Sequence, residues 1–178
     1  MRSRQLSRLI DELIEEQAEE YWERIGIKRE HVAYHEAGHA VIALMLGYKV
    51  GKVTIKPRYG SVGSVDDIQP GETSSDKVVD IEATGIKIDL AGPLAEQLIN
   101  PEPFNELIKN GSSTDWRSAR RTARQTNTRG EAEVLIFMLA METKTLVEQH
   151  RDVRHQPPPG FPLSGQFLRN LANVLLCA

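Results

Sequence analysis

His35 and His39 stand four residues apart in His35-Glu-Ala-Gly-His, and this spacing restricts the local fold more than any other feature of the chain. In an α-helix, positions i and i+4 lie one turn apart on the same face. Both imidazoles can then converge on one ion, at nitrogen–zinc distances of about 2.0–2.1 Å. Glu36 falls beside such an ion instead of on it. There its carboxylate can take a proton from a water whose pKa a bound metal lowers toward about 7. The segment 29–46 is therefore predicted to be a helix carrying two ligands and a base, with Gly47 as its stop. Ala37 and Gly38, both small, let another segment approach closely. The plain alternative is a pair of surface histidines on an ordinary helix.

Periodicity organises the rest of the chain. Residues 3–24 read as a helix with Leu6, Leu9, Ile10, Leu13, Ile14 and Tyr21 on one stripe and an acidic opposite face. That face reads as a solvated surface or as a docking arm. Val53-Thr-Ile-Lys alternates and is β-branched, Arg58-Tyr-Gly-Ser is a turn, and 61–65 is a return strand, so a small hairpin follows the histidine helix. Residues 69–75 read as a polar loop. A long helical pattern over 76–99 contains Pro93, which predicts a kink or a break. Asn100-Pro-Glu-Pro is a stop, Gly111-Ser-Ser-Thr caps a helix over 115–125, and 131–150 is another helix. Three successive prolines in Gln156-Pro-Pro-Pro-Gly interrupt regular structure, with a short last helix expected over 167–176. The expected architecture is mainly α with a small β-hairpin. It divides into an acidic helix (1–28), a main domain (29–150) and a proline-rich tail (151–178).

Composition narrows the function classes. The 178 residues carry a net charge of −3, which argues against a nucleic-acid partner. The single cysteine, Cys177, permits no intrachain disulfide and fits a reducing, cytoplasmic setting. The apolar runs 40–46 and 134–141 are far short of a transmembrane span. No G-x-x-x-x-G-K-[ST] phosphate loop is present.

A catalytic zinc takes three protein ligands and a water. His31 lies on the histidine row, but eight residues of helix rise about 12 Å, too far from His39 to share an ion with it. Glu96, in the small-residue stretch Leu90-Ala-Gly-Pro-Leu-Ala-Glu, and Asp115, in Gly111-Ser-Ser-Thr-Asp-Trp, are both candidates for the third place. As ordinary residues, Glu96 would be a solvent-facing helix residue and Asp115 a first-turn acid favoured by the helix dipole.

Four segments occur in order: His35-Glu-Ala-Gly-His-Ala, Lys52-Val-Thr-Ile-Lys-Pro-Arg, Leu90-Ala-Gly-Pro-Leu-Ala-Glu and Gly111-Ser-Ser-Thr-Asp-Trp. Together they resemble the zinc peptidase domain of the FtsH family of ATP-dependent proteases, over residues 30–125 and more loosely to 150. The resemblance implies a helical, zincin-like metallopeptidase fold. It implies Zn²⁺ held by His35, His39 and Asp115, Glu36 as the base, and Glu96 beside the zinc histidines. It also implies a polypeptide substrate, added as an extra strand to the edge that follows the zinc helix. The family's ATPase module and membrane anchors are not in this sequence, so the expectation is a stand-alone peptidase-like domain. Its partners would be a second copy of the chain or an unfoldase acting in trans. A zinc-bound module that only holds peptides is the alternative, and a metal-free helical scaffold a third. The presence of Glu36 favours the enzyme, because a purely structural zinc has no use for a base.

Overall fold

The computed structural model of the chain describes residues 22–24, 26–55, 62–71, 80–110 and 113–150, the side chains at 105, 109 and 110 apart. Helix α1 (Arg29–Met45) carries the histidine motif and gives way to a turn at Leu46 and Gly47, whose φ of 86° only glycine adopts readily. Strands β1 (Tyr48–Lys49) and β2 (Lys52–Thr54) follow, and β3 (Ser64–Asp66) and β4 (Gln69–Pro70) return. Helices α2 (Ile81–Glu96), α3 (Phe104–Asn110), α4 (Thr114–Ala123) and α5 (Arg129–Gln149) complete the described chain. Among the described residues, no helix is long and apolar enough to cross a membrane. The mainly helical architecture with a minor β element is therefore the one read from periodicity.

The hairpin forms in the expected place. Antiparallel pairing sets Lys52 opposite Asp66, Val53 opposite Val65 and Thr54 opposite Ser64. One expectation fails here. The start of the polar segment 69–75 is not loop: Tyr48 pairs with Pro70 and Lys49 with Gln69. The ribbon continues past two facing bends. Gly51 donates to the Asp66 carbonyl at 3.2 Å, Asp67 adopts a left-handed φ of 56°, and Gly71 donates to the Gly47 carbonyl at 3.0 Å. A two-residue strand created by its partner's position leaves no periodicity to read.

Helix α2 is the centre of the fold. Asp80 caps it by accepting from the Ala83 amide at 2.9 Å. Thr84, Ile86, Ile88 and every residue from Leu90 to Ala95 are buried, as expected of a helix covered on all sides. Ile88, Ala91 and Ala95 join Val41, Ile42 and Val147 in one apolar cluster. Ile86, Leu90 and Leu94 join Trp116, Ile136 and Leu139 in another. The predicted break at Pro93 does not occur, because Pro93 lies inside continuous helix. Its ring deprives the Asp89 carbonyl of an intrahelical donor, and packing from both sides holds the helix through that defect.

The stop at Asn100-Pro-Glu-Pro is followed at once by α3, which periodicity did not reveal. Its first turn is closed by the Glu106 and Leu107 amides on the Pro103 carbonyl. Ser113 caps α4 by accepting from the Trp116 amide at 3.4 Å. A reciprocal capping box between Thr128 and Glu131 opens α5. Of the helix expected over 3–24, only Trp22, Glu23 and Arg24 are described; they are helical, and Trp22 is buried. Its acidic face before Glu23, the proline-rich segment and the helix expected over 167–176 lie outside the described residues.

Candidate metal centre

The histidine face of α1 is turned onto α2, and glycines make the approach possible. A Cβ on Gly38 would stand 2.5 Å from the Ala91 carbonyl oxygen and 2.6 Å from the Ala95 Cβ. A Cβ on Gly92 would stand 2.3 Å from His39 Nε2 and 2.7 Å from His35 Nε2. Any side chain at 92 would occupy the space into which both imidazoles point. The small-residue stretch around Gly92 is thus the wall against which the histidine pair is set.

Each imidazole is fixed through its far nitrogen. His35 Nδ1 donates to Glu96 Oε1 at 2.5 Å, and His39 Nδ1 donates to the Ile88 carbonyl at 2.7 Å. Both partners accept only, so Nδ1 carries hydrogen in each ring and Nε2 is left for a ligand. The two Nε2 atoms lie 3.0 Å apart. Asp115, in the first turn of α4, brings its carboxylate to 3.1 Å from His35 Nε2 and 3.9 Å from His39 Nε2. Among the described residues, His35, His39 and Asp115 form a group whose ligand atoms all lie within 4.8 Å of one another and can hold a metal ion.

The donor set fits zinc. Two nitrogens on one tetrahedral zinc at about 2.0–2.1 Å would be roughly 3.3 Å apart, close to the spacing the helices impose. The anchored Nδ1 atoms supply the outer hydrogen bonds that orient imidazole ligands. Of the two candidates for the third place, Asp115 meets the Nε2 pair, and Glu96 meets the opposite side of His35. His31 lies along the same cleft but outside the group, and His150 is likewise outside it.

Electrostatics follow from this packing. Burial works against a charged His35, but hydrogen bonds to Asp115 and Glu96, with their charges, outweigh it and hold its pKa at about 10. Burial lowers His39 to about 4, assisted by the neighbouring His35 charge. Burial pushes Asp115 up, yet its bond to His35 and both imidazoles bring it below the usual carboxylate range. A proton shared at the His35 Nε2 is therefore what a cation at this point would replace.

Glu36 is buried, and burial raises its carboxyl to about 7 against the pull of His35. Its side chain packs on Gly63, where an added Cβ would come within 2.6 Å of Oε1. Glu36, both histidines, Asp115, Asp89 and the segment Val62–Val65 line one open cleft of about 1180 Å³. The described wall on the sheet side is β3 with its flanking residues, not β2, the strand read from the sequence after the histidine helix. Residue types and spacing indicated His35, Glu36 and His39, resemblance singled out Asp115 from Glu96, and the small-residue stretch that contains Gly92 indicated close helix packing. The Ile88 carbonyl had no sequence signal, and Gly63 had only that of an isolated glycine near a strand.

Comparison with known proteins identifies the family. The model of peptidase family M41 matches residues 26–154. The ATP-dependent zinc metalloprotease FtsH of Veillonella parvula is 39% identical over 103 residues, covering 57% of this chain and 15% of that relative. The protein of the same name from Chloroflexus aggregans is 37% identical over 122 residues, covering 60% of this chain and 18% of the relative. That from Mesomycoplasma conjunctivae is 33% identical over 124 residues, covering 68% of this chain and 16% of the relative. The chain thus spans less than a fifth of the length of these relatives. A family match over most of the chain, with a His-His-Asp group at its centre, places the chain in peptidase family M41.

Proposed function

We infer that the chain is a zinc metalloendopeptidase acting on unfolded or flexible polypeptide segments. One observation carries this reading. Two helices aim His35 Nε2, His39 Nε2 and the Asp115 carboxylate at one point, and the buried carboxylate of Glu36 lines the same cleft. Zinc bound there supplies electrophilic activation and a water of lowered pKa. Glu36 accepts the proton of the attacking water and later delivers it to the amine of the departing peptide. Glu96 and the Ile88 carbonyl hold the imidazoles in the tautomer that presents Nε2. Asp115 contributes the negative ligand that partly offsets the ion's charge.

Substrate recognition is assigned to the β3 side of the cleft. Within the described sheet, β3 is paired on one side by β2, and residues 62–65 line the cleft. An extended peptide laid along this segment is held through its backbone, which makes recognition tolerant of sequence. The relatives are named for ATP dependence. The proposal for this chain covers the hydrolytic step, with unfolding supplied by another domain or by an unfoldase in trans.

Glu36→Gln tests the assignment, because it keeps the shape of the side chain and removes the base. The variant should retain about one zinc per chain by mass spectrometry and lose roughly 10²–10⁴-fold in the rate of unfolded-casein cleavage. Near wild-type hydrolysis by this variant would remove Glu36 from the mechanism. Wild-type protein that binds zinc and cleaves nothing would favour the peptide-holding module.

A further inference from the structure

The cleft contains one carboxylate that the proposed reaction does not use. Asp115 is assigned to the metal with the histidine pair, Glu36 is assigned as the base, and Glu96 is engaged by His35. Asp89 remains. It lines the same cleft and directly follows Ile88, whose carbonyl holds His39. It precedes Gly92 by three residues and Glu96 by seven, offsets that share one helix face. Asp89 and Glu96 therefore flank the histidine pair from opposite ends of about 10 Å of α2.

Asp89 hydrogen-bonds to Ser118 of α4, while Arg121 acts on it through charge without a hydrogen bond. Burial raises its carboxyl pKa, and the like charge of Asp115 adds to the effect. A half-buried carboxylate on the wall of a substrate cleft, reached by the Arg121 cation only through charge, can be complemented by a cationic group from outside.

We propose that Asp89 is a specificity-determining residue that selects a lysine or arginine side chain beside the scissile bond of a polypeptide substrate. The proposal rests on the peptidase reading, which places the scissile bond at the histidine pair. The Ser118 bond gives Asp89 a further role in tying α2 to α4, and the test separates the two.

The experiment uses the zinc-loaded full chain and fluorogenic peptides that are identical except for Lys, Leu or Glu at each of three positions on either side of the cleaved bond. Lysine at one position should raise kcat/KM at least tenfold over leucine, and the advantage should shrink as salt is added. Asp89→Asn should bring the Lys/Leu ratio to within about twofold of unity, and Asp89→Lys should turn the preference toward Glu. Ser118→Ala, which removes only the tie to α4, should keep the lysine preference. A wild-type ratio near one, or a preference that survives Asp89→Asn, overturns the proposal. If the wild type cleaves none of the peptides, the peptidase reading fails separately, and binding decides the role of Asp89. Zinc-loaded Glu36→Gln should then bind labelled lysine peptides at least tenfold more tightly than leucine peptides, a difference lost when Asp89→Asn is added. Equal binding would overturn the proposal by that route as well.

Discussion

His35 stands between two carboxylates, Glu96 at Nδ1 and Asp115 at Nε2, and this sets how the site responds to pH. Its pKa of about 10 means that one proton must leave before zinc is bound at any pH below that value. His39, lowered to about 4, is neutral throughout the same range and releases none. Zinc affinity should therefore rise with pH, by about tenfold per unit, or roughly a hundredfold from pH 6 to pH 8. For the metal-free protein the sign is opposite. A histidine raised above its unfolded value of 6.5 contributes stability that is complete below that pH and is lost as pH rises through about 10. Zinc titrations against a competing chelator at several pH values check the first statement, and an affinity flat between pH 6 and 8 would contradict it. At this scale the sequence was most informative where function depends on side chains. The motif spacing named His35, Glu36 and His39, while Asp115 and Glu96 were separated only by resemblance. The partner of His39 was invisible because it is a backbone carbonyl, delivered by tertiary packing from residue 88.

The helices α1 and α2 meet through glycine, and the same substitution should act with opposite sign at two of their glycines. Gly38→Ala places a methyl group 2.5 Å from the Ala91 carbonyl oxygen and 2.6 Å from the Ala95 Cβ. Neither contact is the end of a flexible chain, so the helices must separate, at a cost of about 1–3 kcal/mol for overpacking. Gly85→Ala, near the start of α2, meets nothing within 4 Å. There alanine's better helix propensity dominates, and stability should rise by about 0.8–1 kcal/mol. Urea unfolding of both variants checks the pair, and shifts in the same direction would show that the interhelical contact is not limiting. Elements of ten residues or more were legible because periodicity and caps accumulate over several turns. Short elements were not. Helix α3 has seven residues after a proline stop, and β4 has two whose pairing depends on where the hairpin returns. Pro93 was read by its usual effect inside a helix, which burial on every side of α2 overrides.

The whole molecule places its metal group where two apolar clusters share a helix. Helix α2 contributes Ile88, Ala91 and Ala95 to one cluster and Ile86, Leu90 and Leu94 to the other. The proposed ligands come from the elements on its two flanks, α1 through His35 and His39 and α4 through Asp115. An ion bound to all three closes a link across α2 that neither cluster supplies alone. Global unfolding separates these ligands, so binding free energy enters the stability of the fold. With free zinc at a hundred times the dissociation constant, the gain is about 2.7 kcal/mol, which for a chain of this size is roughly 5–10 °C in Tm. Because zinc affinity rises with pH, this gain at a fixed free zinc concentration should be larger at pH 8 than at pH 6. Calorimetry of the zinc-loaded and chelated protein at the two pH values measures it. Asp115→Ala should lose most of the gain, and its chelated midpoint should also fall somewhat, because the variant removes a carboxylate that holds the His35 proton in the metal-free protein. A variant that keeps the full zinc-dependent shift would show that α4 is not part of the link, and the third ligand would then have to be sought elsewhere.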